Sequence, residues 1–335
     1  MGENSDILRD SFGRQHDYLR ISLIEKCNLR CSYCMPLEGV PLSPRAELMM
    51  ADEIISISQT FVSHGVNKIR LTGGEPLLRK DLPQILEGLS KLPVKLSLTT
   101  NAVLVDRHME TLKKAGLDHI NVSLDSLNRE TALQLTKRDS FDKAYQNILL
   151  LMAEGFKVKL NVVLIKGVND TEVIDFIRFT KEHDINIRFI EFMPFDGNQW
   201  DRSMVVTQEE ILARAYQEFG ETAIIKLKEE KNFVSRDYKL RGTKGQFGII
   251  STVSNPFCDG CNRIRLTANG RIKNCLFSAS ELDLLSAHRA GKSIEPIIAK
   301  ALWKKRAVRA GMDTDEKFSD PKAYEKNRSM IAIGG

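Results

Sequence analysis

The chain has 335 residues, enough for one large α/β domain, alone or with a smaller appendage, around a substantial core. Its 42% hydrophobic and 28% charged residues are typical of a soluble globular protein, and it contains no apolar run long enough to span a membrane. The formal charge of +5 suits an anionic small ligand as well as nucleic acid.

The chain has six cysteines, whose chemical state depends on the cellular compartment of the protein. The first twenty residues lack the apolar segment of a signal peptide. We therefore expect a reducing cytoplasm, where cysteines are more often metal ligands than disulfides.

Short β-rich runs alternate with amphipathic helical patterns between residue 20 and about residue 194. Six repeats of strand and helix predict an α/β fold with parallel strands, either an open sheet or an incomplete (βα)6 TIM-like barrel. The predicted strands are residues 19–24, 68–72, 94–100, 119–124, 158–165 and 187–192. The predicted helices are residues 51–64, 82–92, 107–115, 141–154 and 172–183.

Five of the six predicted strands carry polar residues at every second position, so these side chains share one face. Helices should cover the apolar faces and leave the polar faces pointing inward. A complete eight-stranded barrel is filled by bulky apolar side chains, so a polar interior indicates a ligand cavity. An antiparallel sheet with one hydrated face is the alternative, but long helical connections do not suit hairpins. The polar residues are Arg20, Ser22, Lys68, Arg70, Thr72, Ser97, Thr99, Asn101, Asn121, Ser123, Asp125, Lys159 and Asn161.

Three cysteines, Cys27, Cys31 and Cys34, follow the first predicted strand with the spacing C-x3-C-x2-C. Thiolates are the ligands of iron–sulfur clusters, and three of them leave one iron of a four-iron cluster without a protein ligand. An open coordination position is typical of a catalytic metal site. From the spacing alone, a disulfide with a spare thiol, a zinc site completed from elsewhere and chance clustering remain alternatives.

The carboxyl ends of the other predicted strands meet at the same edge, where functional groups of parallel sheets commonly lie. Strand two ends in Gly73-Gly74-Glu75-Pro76, where two residues without Cβ would let a ligand approach the backbone. Each such feature alone is better explained by a tight turn or a capped strand. Their coincidence at one edge favours a site.

A second set of three thiols, Cys258, Cys261 and Cys275, lies near the carboxyl end. A zinc ribbon would need a fourth ligand near Cys275, and the nearest histidine, His288, lies on a predicted helix. The second set therefore indicates a second cluster.

The carboxyl-terminal part of the chain contains two groups of basic residues. Arg263 and Arg265 would point the same way on a strand, and guanidinium groups suit phosphate oxygens, although a solvated charged strand is the ordinary interpretation of such a pair. Residues 281–310 are predicted to be helical, and a solvated helix face is the favoured interpretation of their basic run. That run consists of Lys304, Lys305, Arg306 and Arg309.

The first cysteine motif, with Tyr33 before its last thiol and Gly-Gly-Glu-Pro downstream, resembles the radical S-adenosylmethionine superfamily. Almost the whole chain is similar to one family within it, the GTP 3′,8-cyclases of molybdenum cofactor biosynthesis. Ala102 departs from the glycine that the family usually has there. The similarity is carried by Gly13-Arg14, Gly334-Gly335 and residues 18–22, 34–36, 70–76, 121–125 and 188–193.

The resemblance implies roles for the matching positions. It implies two [4Fe-4S] clusters, one binding S-adenosylmethionine through its open iron and one holding the guanine base. The matching cluster ligands are Cys27, Cys31 and Cys34 for the first, and Cys258, Cys261 and Cys275 for the second. Positions that match S-adenosylmethionine contacts are Tyr33, Gly74, Ser123 and Met193. Positions that match GTP contacts are Arg20, Arg70, Thr99, Lys159, Arg263 and Arg265.

The resemblance also implies the reaction, a lyase step in molybdenum cofactor biosynthesis. A 5′-deoxyadenosyl radical removes the 3′ hydrogen of GTP, and the ribose carbon attacks C8 to give (8S)-3′,8-cyclo-7,8-dihydroguanosine 5′-triphosphate. The implied partners are an electron donor and a downstream cyclic pyranopterin monophosphate synthase, with no nucleic acid and no membrane; a homodimer stays open. No catalytic side chain beyond the clusters is assigned.

The resemblance further implies a radical SAM partial barrel over residues 1–215 and a C-terminal α+β extension, residues 216–335, that carries the second cluster. The terminal Gly334-Gly335 would reach toward the active site, whereas in a bare sequence such an end more often frays. Two other functions remain open. One is a peptide-modifying radical enzyme with an auxiliary cluster, and the other is a zinc-dependent nucleic-acid-binding protein.

Overall fold

One continuous sheet organises the computed structural model, which describes residues 6–36, 38–229 and 232–334. Twelve strands are found among these residues. They are β1 (Tyr18–Ser22), β2 (Lys68–Thr72), β3 (Lys95–Thr100), β4 (His119–Ser123), β5 (Lys157–Leu164), β6 (Asn186–Glu191), β7 (Ile224–Lys226), β8 (Arg236–Leu240), β9 (Gln246–Ile250), β10 (Arg263–Leu266), β11 (Arg271–Lys273) and β12 (Leu282–Asp283).

The α-helices of the described residues lie mainly between the first six strands and after the last. They are α1 (Ala51–Ser63), α2 (Leu82–Ser90), α3 (Val105–Lys114), α4 (Arg129–Thr136), α5 (Phe141–Ala153), α6 (Val173–Glu182), α7 (Gln208–Phe219), α8 (Leu285–Arg289), α9 (Glu295–Trp303), α10 (Asp315–Ser319) and α11 (Met330–Ile333).

The strand order across the sheet is β12-β11-β10-β1-β2-β3-β4-β5-β6-β9-β8-β7. The central strands β1 to β6 are parallel, and β10 and β9 continue the parallel pairing on either side. The outer strands pair in antiparallel fashion. The predicted parallel α/β sheet is confirmed, and each of the six predicted strands is found within one or two residues of its predicted limits.

The register between strands confirms that the predicted polar residues share one face, which we call the polar face. Arg20 lies opposite Arg70 on the neighbouring strand. In a second row, Thr99 lies opposite Asn121, and Asn121 lies opposite Lys159. The alternate residues of these strands are buried beneath the helices in the main hydrophobic core, as Ile120 and Val122 illustrate.

Local signals explain where several helices begin. The Thr207 side chain accepts the backbone N–H of Glu210, and the Glu210 carboxylate accepts the N–H of Thr207, so a capping box starts α7. Helix α4 was not predicted. It begins where the Asn128 side chain accepts the N–H groups of Glu130 and Thr131.

The prediction of a helix over residues 281–310 is wrong in part. Leu282–Asp283 extends the sheet as β12, and α9 ends at Trp303. Gly291, with a φ of 66°, separates α8 from α9, because this left-handed conformation ends a helix and favours glycine. Among the described residues, no helix has the length and apolar character needed to cross a membrane.

Candidate functional site

The first cysteine set lies in the loop after β1, at the carboxyl edge of the sheet. The Cys34 N–H donates to the Cys31 carbonyl at 3.0 Å. The Cys27 sulfur accepts the Leu29 backbone N–H at 3.4 Å and the Asn101 side-chain amide at 3.9 Å, and N–H groups aimed at sulfur are a feature of cluster thiolates. Burial raises the pKa of Cys27 to about 11, so a bound metal is needed to hold it as a thiolate near neutral pH.

Gly73 and Gly74 bring the end of β2 against the backbone that leads into this loop. The Gly74 N–H donates to the Ile24 carbonyl at 2.7 Å, and the Glu75 N–H donates to the Lys26 carbonyl at 2.9 Å. A Cβ on Gly74 would overlap the Lys26 carbonyl, so only glycine fits. We expected a ligand to use this close approach; in the described chain the group that uses it is the protein's own backbone.

Tyr33 is fixed by a carboxylate at the end of β4. Its hydroxyl donates to Asp125 Oδ2 at 2.6 Å, and the Val163 N–H donates to Asp125 Oδ1 at 2.8 Å. Burial raises the pKa of Asp125 to about 6, although both hydrogen bonds oppose that shift. The ring packs beside a small apolar cluster that includes Leu135 and Phe192. Tyr33 is therefore held in one orientation beside the cysteine loop.

The other positions predicted to contact S-adenosylmethionine lie at the same edge. Ser123 is the last residue of β4, and Gly74 follows β2. The Asn198 side-chain amide donates to the Met193 carbonyl at 2.8 Å and to the Tyr33 carbonyl at 3.2 Å. The four residues predicted to contact S-adenosylmethionine thus lie at the carboxyl ends of parallel strands or in the cysteine loop, at one edge of the sheet. Their role stays a prediction.

The second cysteine set lies around β10 and β11, in a cationic environment. The buried Lys305 donates to the Cys261 sulfur at 3.3 Å and to the Arg263 carbonyl at 3.1 Å. Burial alone would raise the pKa of Cys261, but Arg263 and Lys305 outweigh it and lower the pKa to about 6. The electrostatics therefore favour the thiolate of Cys261, whereas burial raises the pKa of Cys258 in the same set.

Arg14 connects the amino-terminal segment to this second set. It donates to the Cys258 carbonyl at 2.8 Å and to the carbonyls of Ala307 and Arg306 at 2.8 and 3.0 Å. The Asp10 carboxylate accepts Arg14 Nε at 2.6 Å and so holds the guanidinium in place. The Gly13-Arg14 motif thus has a structural explanation, because Arg14 connects the backbone at Cys258 to the backbone of residues 306–307.

The six cysteines are all free, so no disulfide forms within the described residues. Nor does the described chain gather three or more His, Cys, Asp or Glu side chains around the position of a single metal ion. A four-iron cluster spreads its thiolate ligands further apart than one ion does. Each set supplies three thiols, and N–H donors point at the sulfurs of Cys27 and Cys261, so each set fits such a cluster.

Four arginines meet on the polar face where β10 joins β1 and β2. Arg265 lies opposite Arg20, and Arg20 lies opposite Arg70. Arg263 is two residues before Arg265 on the same strand, as predicted. Burial, and then the charge of Arg265, lowers the pKa of Arg20 to about 9, while burial and Arg263 lower the pKa of Arg265 to about 10. The chain thus concentrates positive charge where water is scarce.

Some of this charge has no protein acceptor. Within the described chain, Arg70 Nε, Arg263 Nη1 and Arg265 Nε are buried without a hydrogen-bond partner. A buried charged donor without an acceptor costs about 1–3 kcal/mol or more, which an anionic ligand with several oxygen atoms would offset. The cations also lower the pKa of Tyr18 to about 8, against its burial. The arginine cluster therefore fits a phosphate chain.

Thr99 and Lys159 complete the predicted GTP positions on the same face. Arg70 Nη1 approaches Thr99 Oγ1 at 3.5 Å. Burial, then Arg188 and Lys68, lowers the pKa of Lys159 to about 8. All six predicted positions therefore share the polar face, and their contact with GTP stays a prediction.

The carboxyl-terminal tail also reaches this face. Gly334 is buried with a φ of 71°, and a Cβ there would meet Thr72 Cγ2 at 2.6 Å and Ser22 Cβ at 3.3 Å. The tail thus reaches the polar face at Gly334, and a frayed end is wrong for that residue. Its place at an active site stays a prediction. Gly335 lies outside the described residues.

Polar contacts hold the carboxyl-terminal tail in place before it reaches the polar face. Lys273, buried on β11, donates to Asn327 Oδ1 at 2.7 Å. Arg328 forms ion pairs with Glu281 at 2.8 Å and with Glu25 at 3.7 Å. Because Glu25 is two residues before Cys27, these contacts connect the tail to the first cysteine loop.

The interpretation of the basic run at 304–309 as a solvated face is wrong for two of its residues. Lys304 and Arg306 are exposed, but Lys305 is 4% and Arg309 5% exposed. Arg309 donates to the Val253 carbonyl at 3.1 Å. A usable signal was the lack of helical periodicity after Trp303, since without a helix the four cations need not share a face.

Two family models match the chain in succession: the radical SAM superfamily model matches residues 21–180, and the Molybdenum Cofactor Synthesis C model matches residues 185–310. The chain is 44% identical over 306 residues to the molybdenum cofactor biosynthesis protein moc-5 of Caenorhabditis elegans, covering 90% of this chain and 51% of that protein. The chain thus spans about half the length of the first curated relatives it matches.

A plant relative is covered more fully. The mitochondrial GTP 3′,8-cyclase of Arabidopsis thaliana is 42% identical over 337 residues, which is 99% of this chain and 84% of that protein. Among solved structures, Streptococcus suis SuiB bound to S-adenosylmethionine superposes with a TM-score of 0.59 at 17% identity, over 82% of this chain and 65% of that chain. The SuiB similarity shows a shared fold.

Proposed function

The chain belongs to the GTP 3′,8-cyclase family of the radical SAM superfamily, and we propose that it is itself a GTP 3′,8-cyclase. It would convert GTP to (8S)-3′,8-cyclo-7,8-dihydroguanosine 5′-triphosphate in molybdenum cofactor biosynthesis. The family's cofactors are S-adenosylmethionine and an iron–sulfur cluster. The observation that carries the proposal is the buried arginine cluster on the polar face, in a chain that also has two sets of three free cysteines.

We assign the first cluster to Cys27, Cys31 and Cys34, and a second to Cys258, Cys261 and Cys275. Support for the second comes from the Lys305 ammonium donating to Cys261 and from the cationic surroundings that favour its thiolate. When bound at the first set, a cluster supplies the electron that starts radical chemistry on S-adenosylmethionine.

The chain's own residues bind and orient the two small molecules. The arginine cluster would hold the triphosphate, because Arg70, Arg263 and Arg265 each keep a buried N–H that has no acceptor among the described residues. Tyr33 and Met193 would contact S-adenosylmethionine from positions that Asp125 and Asn198 fix. Arranged this way, the nucleotide lies between the two cysteine loops.

We further propose that the parallel strands curve into an incomplete barrel around the polar face, with residues 216–335 closing it as an extension. Two observations support an enclosed interior. The polar residues on β1 to β5 are buried or half-buried. Gly334, at the end of a buried tail segment, lies against Ser22 of β1 and Thr72 of β2. A closed interior would keep water from reactive species.

The proposed partners follow from the reaction. A reductant must supply electrons, and a cyclic pyranopterin monophosphate synthase would consume the product. A homodimer is a proposal without a specific contact to support it. A cytoplasmic location likewise remains a prediction.

The decisive experiment is anaerobic. The purified protein is analysed for iron and sulfide, then given reductant, S-adenosylmethionine and GTP, and the products are identified by mass spectrometry. We expect about eight irons per chain, 5′-deoxyadenosine, and a cyclised product derived from GTP. Formation of 5′-deoxyadenosine without a GTP product would support a radical enzyme but contradict GTP as its substrate, and would favour a peptide substrate. Zinc without iron, with salt-dependent binding to nucleic acid, would overturn the proposal.

A further inference from the structure

Asn121, in the middle of β4, is a buried residue whose side-chain oxygen has no hydrogen-bond partner among the described residues. Its side chain is 3% exposed, and its Oδ1 accepts no hydrogen bond from any described residue. Ile120 and Val122 on either side point into the core beneath the helices, so Asn121 points to the polar face. None of the GTP or S-adenosylmethionine contacts assigned above includes it.

An unpartnered buried amide is costly. A buried polar group without a hydrogen bond lowers the free energy of unfolding by about 1–3 kcal/mol. In native proteins, about nine in ten buried polar groups therefore have a hydrogen-bond partner. Asn147 on α5 shows how this chain treats a buried amide that serves structure alone. It is 2% exposed and donates to the Ala102 carbonyl at 2.7 Å and to Asp106 at 3.2 Å. The absence of such partners at Asn121 therefore points to a ligand.

The position of Asn121 in the sheet indicates which part of the ligand it faces. It lies in one row with Thr99 on β3 and Lys159 on β5, both proposed to contact GTP. Ser123, proposed to contact S-adenosylmethionine, is two residues further along the same strand, which is about 7 Å. Asn121 thus lies at the level of the nucleotide, next to its boundary with the level of S-adenosylmethionine. The reacting ribose of GTP must occupy that boundary if its hydrogen is to be transferred.

We propose that the Asn121 amide binds the vicinal 2′ and 3′ hydroxyl groups of the nucleotide ribose and makes the site specific for ribonucleotides. An amide offers one acceptor oxygen and two donor hydrogens, which match a pair of hydroxyls. This inference rests on the proposed function, because it places GTP on the polar face. Asn121 is a specificity-determining residue here, with no proton or electron transferred through it.

The test compares GTP with 2′-deoxy-GTP and 3′-deoxy-GTP, by equilibrium binding to the anaerobically purified, cluster-loaded protein without reductant. We expect the unaltered protein to bind GTP 10- to 100-fold more tightly than either analogue, since sites built to bond a hydroxyl reject ligands that lack it. In Asn121→Ala, GTP affinity should fall at least tenfold and the affinities of the analogues should change little. The three nucleotides then bind nearly equally.

Asn147→Ala is the matched control. It removes a buried amide of similar exposure that has protein partners, so its melting temperature without ligand should fall while the preference for GTP is unchanged. Asn121→Ala should melt no lower than the unaltered protein. A lower melting temperature for Asn121→Ala with an unchanged preference would assign it a structural role, and an equal loss for all three nucleotides would also overturn the proposal. If the unaltered protein binds no GTP, the proposed function itself fails and this inference fails with it.

Discussion

The buried carboxylate of Glu75 accepts the backbone N–H of Asn101 at 2.8 Å, which ties the end of β2 to the end of β3. The same carboxylate accepts Thr100 Oγ1 at 2.7 Å and the Leu77 N–H at 3.1 Å. The Asn101 amide, so placed, donates to Asn28 at 2.7 Å beside Cys27. The glutamate of Gly-Gly-Glu-Pro therefore supports the first cysteine loop from a distance.

Glu75→Ala should therefore damage both the fold and the first cluster site. Three donors lose their acceptor, so we expect the free energy of unfolding to fall by about 2–4 kcal/mol. We also expect iron to fall by about half, because only the first cysteine loop depends on Asn101. Denaturant unfolding and iron analysis measure the two effects. Glu75→Gln keeps one acceptor oxygen, so its stability and iron content should lie between those of the unaltered protein and Glu75→Ala. Full iron content in Glu75→Ala would show that the first cysteine loop does not depend on Glu75.

Much of this fold was predictable because period-two alternation and helical periodicity are local signals. The rows of Arg20 with Arg70 and of Thr99 with Lys159 followed from strand parity, and the register confirms them. The resemblance to the cyclase family supplied the cofactor assignments. The two sources agree at Arg20 and Arg70.

What the sequence did not reveal depends on contacts between distant residues. Lys305 looked like one cation in an exposed run, and only its contact with Cys261, 44 positions earlier, sets it apart. Asn121 looked like any other polar strand residue, because a missing partner cannot be seen in a sequence. Ala102 has a φ of 63°, a conformation that favours glycine, which gives a physical reason for the family's usual residue there.

Arg263→Ala and Arg265→Ala should each weaken GTP binding while leaving iron content and uncoupled cleavage of S-adenosylmethionine intact. Both side chains face the proposed phosphate site with a buried N–H that lacks an acceptor among the described residues. A charge-assisted bond is worth about 1.5–3 kcal/mol, so we expect a loss of 10- to 100-fold in affinity. Unchanged GTP affinity in both variants, or lost iron in either, would refute this role.

Lys305→Gln should lower iron content at the second site, and Lys304→Gln should not. The Lys305 ammonium holds Cys261 and the Arg263 carbonyl together, whereas its neighbour Lys304 is exposed. Both variants make the same chemical change, so a difference in iron content between them reports the burial of Lys305 and its contact with Cys261. Iron should be counted in a Cys27→Ser background, where the first site is disabled. Equal iron in both variants would mean that the contact with Cys261 is incidental.

GTP affinity should fall as pH rises through about 8. Burial together with Arg188, Lys68 and Arg70 lowers the pKa of Lys159 to about 8, and only its protonated form attracts phosphate. Affinity should be constant below that pH and should fall by up to tenfold per pH unit above it. Tyr18, whose pKa is also lowered to about 8, titrates in the same range, so Tyr18→Phe serves as the control. Lys159→Arg should make GTP affinity nearly independent of pH in this range. If Tyr18→Phe has that effect instead, the pH dependence belongs to the Tyr18 phenol.

His16 should make the fold sensitive to acid. It is fully buried, its Nδ1 donates to the Leu8 carbonyl at 3.1 Å, and its Nε2 has no hydrogen-bond partner in the described chain. Burial, and then the charge of Lys305, lowers its pKa to about 3, although Asp10 at 3.7 Å opposes the shift and Arg14 adds to it. The folded state thus keeps His16 neutral at pH values where the unfolded chain binds a proton.

The sign of the pH dependence follows from that difference. Between pH 6.5 and about 3 the unfolded state holds more protons, so the free energy of unfolding should fall with decreasing pH, by roughly 1.4 kcal/mol per unit from this residue. Above pH 6.5 its contribution is constant. Urea unfolding of His16→Gln from pH 7.5 to 4.5 should give a flatter curve than the unaltered protein gives. Partial burial also lowers the pKa of the half-exposed His119, so His119→Gln should flatten the curve less than His16→Gln does. Equal slopes for all three proteins would place the acid sensitivity elsewhere.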